Sequence, residues 1–132
     1  MKKTIVYGAI LTALTLTTAC QKSLEEQAAN EARQYTAKNC PAKLDEGLVI
    51  DSMTFDADSH TFAYHYTLSG VLDNDTIVSS ETVSQALLES LRNTTSMRAY
   101  KERGYNFRYV YRSATDPDKV LHDLLFTQED YR

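Results

Sequence analysis

The sequence predicts an α+β domain: a four-stranded antiparallel sheet, built as two hairpins, with helices packed on one face in the order α-β-β-α-β-β. Three observations carry this. Apolar residues recur at helical spacing in two segments, Leu24, Ala28, Ala32 and Tyr35 in one and Val83, Leu87, Leu88 and Leu91 in the other. Two further segments alternate with period two, with Phe62, Tyr64, Tyr66 and Leu68 on one apolar row and Tyr105, Phe107, Tyr109 and Tyr111 on the other. Each of these has a strand-like neighbour across a short connection, which makes each pair antiparallel, and a sheet with one apolar face buries it under helices.

The first nineteen residues read as targeting, not structure. Lys2 and Lys3 form a basic start, and residues 5–16 form an apolar run of twelve, well short of the ~20 needed to span a bilayer. Thr17, Thr18 and Ala19 are small and precede Cys20. Leu16-Thr17-Thr18-Ala19-Cys20 resembles the lipobox cut by lipoprotein signal peptidase, with its leucine one place early. That resemblance implies a mature chain of residues 20–132, lipidated on Cys20 with palmitate among its acyl chains, because stable anchoring takes more than one chain. Ordinary secretion with cleavage at the same point is the alternative.

The elements of the mature domain come in order. Ser23-Leu24-Glu25-Glu26 is a capping box, and a helix runs over 24–38 until Pro41 forbids it. Gln21 and Lys22 span less than about 10 Å, so the domain sits close to its membrane. Residues 48–55 and 61–69 are strands joined by Asp56-Ala57-Asp58-Ser59-His60, and 70–75 is a loop. A helix covers 81–92, capped by Ser79 or Ser80. A short helix over 97–103 closes at Gly104, which suits a left-handed cap. The strand carrying Tyr105 to Tyr111, a turn around Asp116-Pro117-Asp118 and a last strand over 120–127 complete the chain.

Segments such as 40–47, Ile50-Asp51-Ser52, 62–68 and 104–111 make the mature chain resemble a widespread group of small bacterial envelope proteins and lipoproteins with an α-β-β-α-β-β domain and no settled activity. The resemblance implies a fold and a location, the bacterial cell envelope, and nothing catalytic. Many of those relatives carry a cysteine before the short helix and another near the C-terminus; here the same regions read Asn93-Thr94-Thr95-Ser96 and Glu129-Asp130-Tyr131-Arg132.

Charge excludes general nucleic-acid binding: the mature chain has 12 basic against 18 acidic residues. The distribution is uneven, because residues 92–112 hold Arg92, Arg98, Lys101, Arg103, Arg108 and Arg112 against the single Glu102. That stretch either meets an acidic partner or balances the acidic remainder of the chain. With Cys20 acylated, Cys40 has no partner and reads as a buried, unreactive thiol, since it comes after a helix C-terminus where the dipole disfavours a thiolate.

No motif implies a cofactor. His60, His65 and His122 lack metal-ligand spacing, although His65 and His122 could share a sheet face. Asp45 with Glu46, and Asp73 with Asp75, are carboxylate pairs in loops and read as solvated charge. Asp51-Ser52-Met53 and Asp75-Thr76-Ile77 resemble an O-glycosylation acceptor, with Thr76 the better placed. The tyrosine rows are read as core under the helices, with a ligand platform as the alternative.

If those rows face the helices, Ala63, His65, Thr67, Arg108, Val110 and Arg112 face away. His65, Arg108 and Arg112 then mark the expected interaction surface. The expected role is a non-catalytic protein-interaction module: an inhibitor, an immunity protein or an accessory subunit. It is expected on a membrane, the outer one foremost, facing the periplasm or the cell surface, with a protein partner. A small-ligand binder with a tyrosine-lined pocket is the second reading, and a hydrolase with a carboxylate site the third.

Overall fold

The computed structural model describes residues 23–132, so the expected signal peptide and Cys20 lie outside the described residues. Helix α1 (Leu24–Asn39) opens the domain, with the Ser23 side chain accepting from the Glu26 backbone N–H. Three strands come next, β1 (Ala42–Asp45), β2 (Leu48–Asp56) and β3 (Thr61–Leu68). A single 3-10 turn (Gly70–Leu72) then leads into the helices α2 (Asp75–Val78), α3 (Glu81–Asn93) and α4 (Arg98–Glu102). Strands β4 (Asn106–Ser113) and β5 (Val120–Phe126) and a final turn of helix, α5 (Gln128–Tyr131), end the chain.

The fold is α+β with helices over one face of the sheet, but the sheet differs from expectation in two ways. It has five strands, not four, and it is mixed, in the order β1-β2-β3-β4-β5. The two expected hairpins, β2–β3 and β4–β5, are antiparallel, whereas β3 and β4 lie side by side in parallel. The helical segment between β3 and β4 explains this: a long crossover returns the chain to the end from which β3 started, and parallel neighbours require such a crossover.

The added strand, β1, turns back onto β2 through Glu46 and Gly47. Gly47 sits at φ +77 with its carbonyl accepting from the Ser69 N–H at 2.9 Å, and a Cβ there would come within 2.6 Å of the Ser69 carbonyl oxygen. Only glycine meets both conditions. β1 covers the outer edge of β2 only as far as Ile50. Beyond that point the Thr36 hydroxyl of α1 donates to the Met53 carbonyl (2.8 Å) and accepts from the Met53 N–H (2.9 Å). One helical side chain thus satisfies both groups of an edge residue that has no strand beside it.

The two aromatic rows face the helices as the alternation predicts. Parallel pairing sets Phe62 beside Phe107, Tyr64 beside Tyr109 and Tyr66 beside Tyr111. Phe62 and Phe107 are fully buried, and Ala28 and Ala32 let α1 approach closely. Ser80 caps α3 through the Val83 N–H. Gly104, at φ +75, ends α4 with the Tyr105 N–H donating back to the Tyr100 carbonyl, a left-handed cap. Among the described residues no helix is long and apolar enough to cross a membrane.

Candidate functional site

Two concave surfaces stand on the sheet, one on each face. The first is a groove of about 590 Å³ between α1 and α3. Its floor is Tyr64, Tyr66 and Tyr109, with Met53 beside them. Its walls carry Glu31, Tyr35 and Lys38 from α1, Leu87 and Ser90 from α3, and Ser96 and Met97 from the segment between α3 and α4. The rings stand on edge and stack across strands: Tyr64 and Tyr109 have centroids 5.1 Å apart, and Tyr66 and Tyr109 6.5 Å apart, each pair nearly parallel. The groove therefore meets ring edges and hydroxyl tips, not ring faces. Burial pushes the Tyr64, Tyr66 and Tyr109 hydroxyls well above the ordinary phenol range, reinforced by their tyrosine neighbours, so all three remain protonated donors.

The second surface is the uncovered sheet face, where the expected trio is found. His65, Arg108 and Arg112 lie on it, and parallel register places His65 beside Val110 and Thr67 beside Arg112. The cations are not free. Arg108 makes a two-pronged ion pair with Asp123, through Nε to Oδ1 at 2.7 Å and through Nη2 to Oδ2. This contact lowers the Asp123 carboxyl and raises the Arg108 guanidinium. Arg112 Nη1 lies 3.3 Å from His65 Nδ1, and the other ring nitrogen is 3.1 Å from the Thr54 hydroxyl. Guanidinium can only donate, so Nδ1 accepts and Nε2 carries the proton. Desolvation lowers the His65 pKa, and Arg112 and Arg108 lower it further. Asp51 accepts from Thr67 at 2.6 Å. Val110, at the centre of these groups, is only 4% exposed.

Arg92, Arg98 and Lys101 of the basic stretch are also engaged within the fold. Lys101 Nζ donates to the Leu91, Arg92 and Thr94 carbonyls, closing the C-terminus of α3. Arg92 donates to the Asp130 carbonyl, and Arg98 pairs with Glu102. Most of these cations thus bond within the fold, to backbone carbonyls as often as to carboxylates.

The histidines diverge. His65 and His122 do not share a face. His122 stands opposite Tyr111 on the helix-covered side, and its Nε2 is buried without a hydrogen-bond partner among the described residues. The reason is a bulge at Leu121, since one extra residue reverses the facing of every position beyond it in the strand. His60, in the β2–β3 turn, stacks on Tyr105 at 4.7 Å and pairs with Glu25 of α1 at 2.8 Å. Among the described residues no group of three or more His, Cys, Asp or Glu side chains converges as a metal would require.

Asp73 and Asp75 part company. Asp73 accepts from the Ser113 and Thr115 hydroxyls, which lower its carboxyl, while Asp75 opens α2. Asp45 and Glu46 are exposed at the β1–β2 turn, and Glu46 pairs with Lys43. Thr76 is exposed in the first turn of α2 and not in a loop; its N–H donates to the Asn74 side chain. Cys40 is half-buried and unpaired, and burial, then Asp51, pushes its thiol upward. Sequence reasoning missed Met53, Leu87 and Met97 as groove walls, because each reads locally as an ordinary core residue of its own element.

No curated protein sequence matches the chain. Three solved structures share its fold. A candidate secreted protein of Pseudomonas aeruginosa superposes with a TM-score of 0.71 at 14% identity, over 85% of this chain and 100% of that one. The pilotin EpsS of the Vibrio vulnificus type 2 secretion system gives 0.59 at 14% identity, over 83% and 92%. The type II secretion system pilotin AspS of Vibrio cholerae gives 0.58 at 21% identity, over 81% and 91%. At the level of sequence, residues 23–122 match the family described as Domain of unknown function (DUF8479), and the chain belongs to that family.

Proposed function

We propose that this chain is a non-catalytic protein-interaction module of the bacterial cell envelope, an accessory subunit held to a membrane, the outer one foremost, by lipid on Cys20. The observation that carries the reading is the fold shared with two pilotins of type II secretion systems across more than nine-tenths of each pilotin chain. The uncovered sheet face adds to it. His65, Arg112, Arg108 and Asp123 are already held in fixed hydrogen-bonded positions there, and such pre-ordered polar groups suit a wet protein interface. The tyrosine-floored groove favours a second reading, retention of a small molecule.

Isolation of the full chain from native membranes in mild detergent tests the first reading. A stoichiometric protein partner is the expected result, together with fatty-acid label that disappears in Cys20→Ala. A chain recovered alone after in-cell crosslinking would overturn the interaction role, and label persisting in Cys20→Ala would overturn the anchor.

A further inference from the structure

The groove between α1 and α3 has a donor pattern that selects its occupant. The Tyr64, Tyr66 and Tyr109 hydroxyls have no hydrogen-bond partner among the described residues, and all three line the groove. They need acceptors, and ring edges leave no face on which a flat ligand could stack. An α-helix uses its own carbonyls internally, whereas an extended chain presents carbonyls on one side every second residue, roughly 6.6 Å apart. Tyr66 and Tyr109 stand on neighbouring strands with ring centroids 6.5 Å apart, which sets two such donors side by side on the groove floor.

Charge sets the ends. On α1, Glu31 lines one end of the groove. Lys38 stands at the other end, exposed and without an ion-pair partner among the described residues. Seven helical residues separate them, about 10 Å of rise, which is the reach of about three extended residues. Met53, Leu87 and Met97 supply apolar, partly flexible walls for the side chains of such a segment.

We propose that the groove takes an extended, three- to four-residue peptide segment of a partner protein, with a carboxylate at the Lys38 end and backbone carbonyls accepting from Tyr66 and Tyr109. This rests on the interaction-module reading and adds the site and the chemistry of what it holds.

The test uses the full chain in detergent micelles and fluorescein-labelled tetrapeptides with apolar side chains, each made with a free C-terminal carboxylate and as the amide, read by anisotropy. Saturable binding is expected for the free-carboxylate set, about tenfold weaker for the amides. Lys38→Gln should remove that tenfold preference. The Tyr66→Phe/Tyr109→Phe double variant should weaken both sets by about tenfold, because each lost hydrogen bond costs a few-fold, while the unfolding midpoint stays put.

Failure of every tetrapeptide to bind, or equal binding by wild type and both variants, would overturn the proposal. Uptake of a fatty acid with no tetrapeptide binding would hand the groove to small molecules and overturn it too. In-cell photocrosslinking from a benzoylphenylalanine placed at Leu87 or, separately, at Thr54 distinguishes the two levels. Protein adducts from Thr54 alone leave the interaction module standing and remove the groove, and adducts from neither position overturn the module itself.

Discussion

The two aromatic rows change character along their length. At one end Phe62 and Phe107 stack at 5.7 Å, packed against Tyr100, Tyr131 and Phe55 at centroid distances of 4.9 to 5.7 Å, and both phenylalanines are fully buried. Further along the same strands the residues are Tyr64, Tyr66 and Tyr109, and there the helices part over an open groove. The rows are continuous in the sheet, and the difference lies in what covers them. A buried phenol needs a partner for its O–H. Tyr131 at the sealed end finds one, donating to the Tyr105 carbonyl at 2.7 Å. The three groove tyrosines have none, and the covering layer is left apart above them. The phenylalanine pair, with Tyr105 beside it, is sealed core, and the middle of the rows is the floor of a groove.

The largest expected effects test that division directly. Phe107→Ala should cost about 3–5 kcal/mol, the range for deleting a fully buried aromatic ring. Tyr64→Ala, partly exposed beside the groove, should cost clearly less. Denaturant unfolding of both variants checks this, and equal losses would mean that the groove is ordinary core. The converse pair exchanges hydroxyls. Phe107→Tyr buries an O–H among Phe62, Phe126 and Tyr131 with no acceptor provided, a loss of about 1–3 kcal/mol. Tyr109→Phe should change stability by no more than about 0.5 kcal/mol, since no protein hydrogen bond is lost. A large loss on Tyr109→Phe would show that its hydroxyl is held within the fold.

The features legible in the sequence are those encoded locally. The capping residues Ser23 and Ser80, the closing Gly104 and the facing of both rows depend on neighbours within a few positions, and each stands where the pattern put it. The parallel join of β3 to β4 is not local. It depends on where α2, α3 and α4 lie, and the alternation of each strand is the same for either pairing. β1 escaped because Ala42-Lys43-Leu44-Asp45 is short and half charged, a composition common to loops and to guarded edge strands. Whether His122 shares a face with His65 was not legible, because a bulge leaves no mark on a short apolar strand. The interaction trio was legible as a set of positions. That each member already holds a partner was not, since Asp123 and Thr54 come from other strands.

The uncovered face behaves differently from the covered one, because its order is electrostatic, and pH should expose that. The His65 pKa is lowered in the folded chain, first by desolvation and then by Arg112 and Arg108. Near neutral pH the ring is uncharged in both folded and unfolded chains. As pH falls through about 6.5, the ordinary histidine value, the unfolded chain takes up a proton that the folded chain resists. Stability therefore declines on acidification and levels off below the folded value. A second loss sets in below about pH 4, when Asp123 and Asp73, both lowered by their hydrogen bonds, are forced to protonate. Unfolding midpoints between pH 7.5 and 5 should slope downward in wild type and run flatter in His65→Gln. Superimposable slopes would remove His65 as the group responsible.

A small expected effect on stability is the most informative about the face itself. Arg108→Glu with Arg112→Glu removes the Asp123 ion pair and the contact to His65. The Arg108 and Asp123 side chains are 49% and 36% exposed, and an ion pair so solvated contributes about 1 kcal/mol at most. The double variant should therefore remain folded, with a loss near or below that value, largest at low salt where the new carboxylates repel Asp123 most strongly. The tyrosine-floored groove on the opposite face owes nothing to these charges and should take up the same tetrapeptides unchanged. If the uncovered face also meets a partner, reversal should slow that association at low ionic strength and converge with wild type as salt rises, because steering is screened. Binding rates measured across ionic strengths separate the two faces: a partner indifferent to the reversal at low salt does not use this face, whereas unfolding of the variant would mean that the polar lattice around Val110 holds the sheet together as firmly as the aromatic rows beneath it.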